Sequence, residues 1–162
     1  MVGPHACAML PMRLWACGKP GKTVSTPFFH KEFASTTSAV AEALGEALES
    51  MARQGWCEPD RSFCIRLCLE EALVNAVVHG NRNEPARQVT VRIYDEGDSC
   101  RICVQDEGSG FDPEAIDMPD SDELGGRGVC LIKEYMEDVT FDCVNKCLQM
   151  VFKRGTFSEP CG

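Results

Sequence analysis

The stretch Glu70-Glu71-Ala72-Leu73-Val74-Asn75-Ala76-Val77-Val78-His79-Gly80 constrains this chain more than any other. It reads as the second half of an amphipathic helix. Leu69, Leu73, Ala76 and Val77 recur at helical spacing and face a core. Glu71 and Asn75 stand four apart, so they share one face of that helix. A carboxylate and a carboxamide stacked this way can hold a divalent cation and a polarised water or hydroxyl together. Alone, such a pair is more often a solvated helix face. Two glycine clusters downstream change that balance: Asp106-Glu107-Gly108-Ser109-Gly110 and Gly125-Gly126-Arg127-Gly128. An acid–asparagine helix, then DxGxG, then GxG opening a helix is a specific order of motifs.

Composition narrows the class. A chain of 162 residues is one domain by length, long enough for a real core. Its net charge of −9 makes it a poor direct partner for nucleic acid, which rewards clustered Lys and Arg. Anionic membrane surfaces would repel it, and no apolar run approaches the roughly 18 residues that span a bilayer. Eleven cysteines are an odd number, and no convincing signal peptide precedes them. We therefore expect reduced, mostly packed thiols rather than a disulfide framework. Zinc is also disfavoured. Cys100 and Cys103 fall on an expected strand, where residues three apart point to opposite faces. Cys64 and Cys68 lie on an apolar helix face and read as small core residues.

The layout follows from periodicity. Residues 1–24 read as an irregular, disordered leader. Gly18-Lys19-Pro20-Gly21-Lys22-Thr23 within it has two residues between its glycines, where a phosphate loop needs four. Thr26–Phe33 reads as a strand, with Phe28, Phe29 and Phe33 turned to the core. Ser35, Thr36 and Thr37 offer N-caps for a helix running to about Gln54. Glu58-Pro59-Asp60 starts the next helix, which Gly80 ends. Val89–Tyr94 and Cys100–Gln105 alternate with period two around the turn Asp95–Asp98 and make a hairpin. Phe111–Leu124 reads as a mobile loop, and Gly128 to about Met136 as a helix. Val139–Val144 and Leu148–Lys153 form a last hairpin, and residues 155–162 a frayed tail. Helices on one face of a mostly antiparallel sheet make an α+β, two-layer α/β sandwich.

Each cluster suits one part of a nucleotide. Asn75 Oδ1 is a neutral ligand for Mg²⁺, which needs only one or two protein oxygens beside phosphates. Glu71, one turn away, can accept a proton from an attacking hydroxyl. Glu70 points about 100° away and suits that task less well. A buried Asp106 can accept a hydrogen bond from the exocyclic amine of adenine. Gly108 and Gly110 let the backbone pass close to a flat base. Gly126, Arg127 and Gly128 precede a helix, whose N-terminal N–H groups make an anion site.

Together these residues resemble the GHKL ATPase superfamily, which includes gyrase, the heat-shock chaperone, histidine kinases and mismatch-repair ATPases. Glu71 and Asn75 match its N box. Asp106, Gly108 and Gly110 match its first glycine box, and Gly126 and Gly128 its second. The runs EEALVNAVVHGN and GGRGVCLIKEYMEDV are most similar to one branch, the anti-sigma-factor serine kinases. The resemblance implies the Bergerat fold, with residues 25–154 as an ATP-binding kinase domain. It also implies ATP and Mg²⁺ as ligands, with Asn75 on the metal. Glu71 would be the base for a partner serine, Asp106 the adenine reader, and the second glycine box the phosphate holder. Two positions depart from the pattern. Leu124 stands where some kinases of this branch carry arginine. Lys146-Cys147 stands where many relatives carry Gly-Thr near adenine.

The expected function is an ATP-dependent serine protein kinase and anti-sigma factor acting on an anti-anti-sigma (STAS) protein. A cytoplasmic location and a homodimer are expected from the same resemblance. The alternative is a nucleotide-dependent module that sequesters a sigma factor or STAS partner without phosphorylating it. A detached histidine-kinase domain is disfavoured, because none of His5, His30 and His79 sits on a suitable upstream acceptor helix.

Overall fold

The computed structural model describes residues 26–108, 132, 134–142 and 144–154. Strand β1 spans Phe29–Ala34, helix α1 Thr37–Arg53 and helix α2 Pro59–Asn75. A π-helical turn, Ala76–Gly80, continues α2. Strands β2 (Gln88–Asp95), β3 (Ser99–Asp106), β4 (Asp138–Asp142) and β5 (Cys147–Lys153) follow. The strands form one sheet in the order β1-β2-β3-β5-β4, with every neighbouring pair antiparallel. Ile132, Glu134 and Tyr135 are helical. The leader, the Phe111–Leu124 loop and the tail from residue 155 lie outside the described residues. Among the described residues, no helix is long and apolar enough to cross a membrane.

The local chemistry accounts for the elements. Thr36 is extended and its Oγ1 accepts from Ala39 N–H at 3.3 Å, so α1 begins with a side-chain cap. Gly55, at φ +74°, turns the chain after that helix. Pro59 takes the first position of α2, where a missing N–H costs nothing. On β2, Val89, Val91 and Ile93 are fully buried while Thr90, Arg92 and Tyr94 lie on the other face.

The core forms where the helices meet the sheet. Ala43, Leu44, Ala47 and Met51 of α1 join Ile65, Leu69 and Leu73 of α2 and the inward side chains of β2, β3 and β5. Phe33 is buried, and Phe28 and Phe29 pack partly against the core. Cys100 belongs to that core. Cys103 is buried on the opposite face, where Arg101 Nη1 donates to its Sγ at 3.3 Å. The alternation read from the sequence therefore holds for this pair. Cys57, Cys100, Cys103 and Cys147 are free thiols, whereas Cys64 is disulfide-bonded. That corrects the expectation of a reduced thiol at Cys64. Helical spacing places it in the core, but only the tertiary fold brings a second sulfur within bonding reach.

Trp56 seals one edge of this core. Its Nε1 donates to Asp95 Oδ2 at 3.0 Å. The edge of its ring meets Phe152 at a centroid distance of 5.6 Å, and the Arg154 guanidinium lies 3.8 Å from its ring centre. We expect Trp56→Ala to cost about 3–5 kcal/mol of unfolding free energy. Trp56→Phe should cost less, because it keeps most of the ring. Urea denaturation measures both, and an unchanged midpoint for Trp56→Ala would refute this account.

Candidate functional site

The site is built where α2 and β3 end side by side. Glu71 and Asn75 are both half-buried on α2, and Glu70 is exposed. Glu71, and not Glu70, shares the helix face of Asn75. Its carboxylate lies near enough to Cys68 to oppose that thiol's ionisation. Burial first, and then Glu71, push Cys68 up to about 12.

Beyond Asn75 the helix widens. Asn81 N–H donates to Ala76 O at 2.8 Å, a five-residue spacing, and Asn83 N–H donates to Val77 O at 2.8 Å. The sequence reading took Gly80 as a plain helix stop. In the structure Gly80 sits within the widened turn and is small for a different reason. A Cβ there would lie 2.5 Å from Asp106 Oδ2. The sharp exit follows at Arg82 and Asn83, both left-handed at φ 54° and 55°.

Asp106 is buried at the end of β3. Its Oδ1 accepts from Gly108 N–H at 2.8 Å, and its own N–H donates to Lys146 O at 3.3 Å. Burial pushes its carboxyl above the usual range, against the pull of Gly108 N–H, Lys146 and Arg87. Gly108 packs directly on Gly80. A Cβ on Gly108 would strike the Gly80 carbonyl and come within 2.9 Å of Asp106 Oδ1. Gly108 therefore serves the meeting of two backbones, a role the sequence reading did not foresee.

Asn81 is the residue the sequence reading missed. It is fully buried. Its Nδ2 donates to Ser35 Oγ at 2.6 Å and to Gln88 O at 2.9 Å. Its Oδ1 accepts from Glu107 N–H at 2.9 Å. One side chain thus ties the end of α2 to segments beside β1, β2 and β3. Its only signal in the sequence is its place one residue after Gly80.

The structure brings Asp106 and Gly108 together with the end of the helix that carries Glu71 and Asn75. Gly110, Gly126, Arg127, Gly128 and Leu124 lie outside the described residues. Among the described residues, no group of three or more His, Cys, Asp or Glu side chains is placed to hold a metal ion. The departure at Lys146 is visible. It stands at φ 52°, and its Nζ donates to the Gly108 carbonyl.

The arrangement is that of a nucleotide-binding ATPase module of two layers. The chain belongs to the histidine kinase-like ATPase domain family, whose model matches residues 33–152. Within that family its resemblance is to the anti-sigma-factor branch. It is 29% identical over 82 residues to an anti-sigma F factor of Oceanobacillus iheyensis, covering 46% of this chain and 56% of that protein. It is 29% identical over 97 residues to the anti-sigma F factor of Geobacillus stearothermophilus, covering 56% of this chain and 66% of that protein. A shorter match, 35% over 71 residues, joins it to the sensor histidine kinase YpdA of Escherichia coli. That match takes in 43% of this chain and 13% of the kinase. The match to the first of these relatives thus spans just over half of its length.

Two outcomes follow from this geometry. Asn81→Ala would remove the partners of the Glu107 N–H and the Gln88 carbonyl, both part-buried bonds, at about 0.5–1.5 kcal/mol for each hydrogen bond lost. Denaturation should show that loss, and faster hydrogen exchange at Glu107 should accompany it. Normal protection of that amide would count against the hub role. Asp106 has the opposite sign. Its folded pKa is raised, so stability falls as pH rises from the ordinary carboxylate range through the raised value. Asp106→Asn should therefore melt higher than wild type at neutral pH. A lower melting temperature would contradict the assignment of a carboxylate whose burial costs stability.

Proposed function

We propose that this chain binds an adenine nucleotide with Mg²⁺ and acts as an anti-sigma factor with serine protein kinase activity. Its substrate would be an anti-anti-sigma STAS protein. The observation that carries the reading is Asp106, a buried carboxylate backed by two glycines that a Cβ would disrupt. Buried acids that cost stability are characteristic of functional sites. The anti-sigma F factor relatives support the choice of partner class.

The residues fit such a ligand. Asp106 offers an acceptor to the exocyclic amine of adenine, and Gly108, packed on Gly80, holds that carboxylate against the helix end. Asn75 supplies a neutral oxygen to a metal held mainly by phosphates. Bound Mg-ATP supplies the transferable phosphoryl group. Glu71 accepts the proton of the partner's serine hydroxyl at its carboxylate and orients that hydroxyl. Gly110, Gly126, Arg127 and Gly128 complete the proposal as contacts to base and phosphates. The proposed unit is residues 25–154, acting in the cytoplasm as a homodimer.

Calorimetry with ATP, ADP and GTP, with and without Mg²⁺, tests the binding. We expect adenine-selective, Mg²⁺-assisted binding that Asn75→Ala abolishes. In a transfer assay with a STAS protein, Glu71→Ala should keep nucleotide affinity and lose turnover by roughly 100-fold or more. Full turnover in that variant would remove Glu71 from the mechanism. Binding without any transfer by wild type would leave the non-catalytic, sequestering module as the function.

A further inference from the structure

We propose that Lys146 is a positioning residue of this site, tying the β4–β5 turn to the first glycine turn and facing Asp106 with a positive charge. Two contacts from one residue hold the segment 106–108. The Lys146 carbonyl accepts from Asp106 N–H at 3.3 Å, and the Lys146 ammonium donates to the Gly108 carbonyl. Both ends of that short segment are therefore pinned to the same residue of the opposite turn.

The turn is built to present this lysine. Asp142 Oδ1 accepts from Val144 N–H at 2.9 Å and Asn145 N–H at 3.1 Å. Its Oδ2 accepts from Asn145 Nδ2 at 2.7 Å. Lys146 then adopts φ 52°, a conformation that glycine takes freely and a lysine does not. A side chain at that φ needs a compensating contact, and the Gly108 carbonyl supplies one.

The charge matters as much as the tether. Burial alone disfavours the ionised Asp106, and Lys146 offsets part of that penalty. Among the described residues, other groups also act on this carboxyl or stand near it. Arg87, from the segment before β2, acts in the same direction as Lys146. Glu107 is next in the chain, with its Oε2 held by Gln88 N–H at 2.7 Å. The π-helical turn presents uncharged Gly80 to Asp106, and its His79 is exposed. Lys146 thus favours the ionised form of Asp106, the stronger acceptor, alongside the Gly108 N–H. Its consequence for ligand affinity rests on the nucleotide reading above, whereas its effect on Asp106 does not.

The experiment is a carbon-13 NMR titration of the Asp106 carboxyl in the ligand-free full chain, paired with ADP calorimetry. Lys146→Met should raise the Asp106 midpoint by about one pH unit. Lys146→Arg should return it close to wild type. In Lys146→Met the ADP affinity should fall roughly three- to tenfold, with the larger loss at acid pH, where the raised Asp106 midpoint leaves less of the carboxylate ionised. Lys146→Gly relieves the backbone conformation, so it should fold and melt no lower than wild type while showing the Lys146→Met titration. It carries the test should Lys146→Met fold poorly. An Asp106 midpoint unmoved in both Lys146→Met and Lys146→Gly overturns the inference. A shifted midpoint in a chain that binds no adenine nucleotide upholds the positioning role and refutes the nucleotide reading instead.

Discussion

The site depends on one close approach, between the end of the α2 extension and the end of β3. Two backbones meet there without a Cβ on either side, at Gly80 and Gly108. Any larger residue at either place would push the helix end away from Asp106. Asn81 then locks the approach with three hydrogen bonds to three separate segments. Asn81 itself is fully buried, and its bond to Ser35 is made in a poorly solvating interior, where an unpaired group is costly. The position of α2 over the sheet, and with it the position of Glu71 and Asn75, follows from this junction.

Ordinary packing and unfavourable local chemistry are sharply separated in this molecule. The core between helices and sheet is apolar and regular, with Val89, Val91, Ile93 and Ile102 lining the central strands. The departures gather at one end of the sheet. They are the widened helical turn, the left-handed residues Arg82, Asn83 and Lys146, and the buried carboxylate of Asp106. Left-handed non-glycine residues each cost on the order of 1 kcal/mol, so the surrounding fold must over-determine them. A fold that concentrates such costs in one place is organised around something other than stability.

Much of this was legible in residue order. Alternation identified the first hairpin, and the register Val91↔Val104 and Ile102↔Met150 keeps its inward side chains on one face with those of β5. The cap at Thr36 and the first-position Pro59 were readable because helix starts are set by local chemistry. Asp106 stood out as a strand-terminal acid beside glycine. The rest was hidden for a common reason. Asn81 acts across 46 residues to Ser35 and 26 to Glu107, and no local pattern announces such partners. The five-residue hydrogen bond that widens the α2 extension lies beyond a periodicity of 3.6. The disulfide at Cys64 has the same origin, since helical spacing reports only which face a thiol occupies.

By itself, the sequence determined the element order, the apolar faces and the chemical types available to a ligand. Those properties depend on neighbours within a turn of helix or two residues of strand. Tertiary structure alone decided which of these groups act together. It set Gly80 against Asp106, assigned Asn81 as the tie between helix and sheet, and turned Lys146 toward the Gly108 carbonyl. Each is a contact between residues far apart in the chain, whose distance is fixed by how two layers pack and by no local rule.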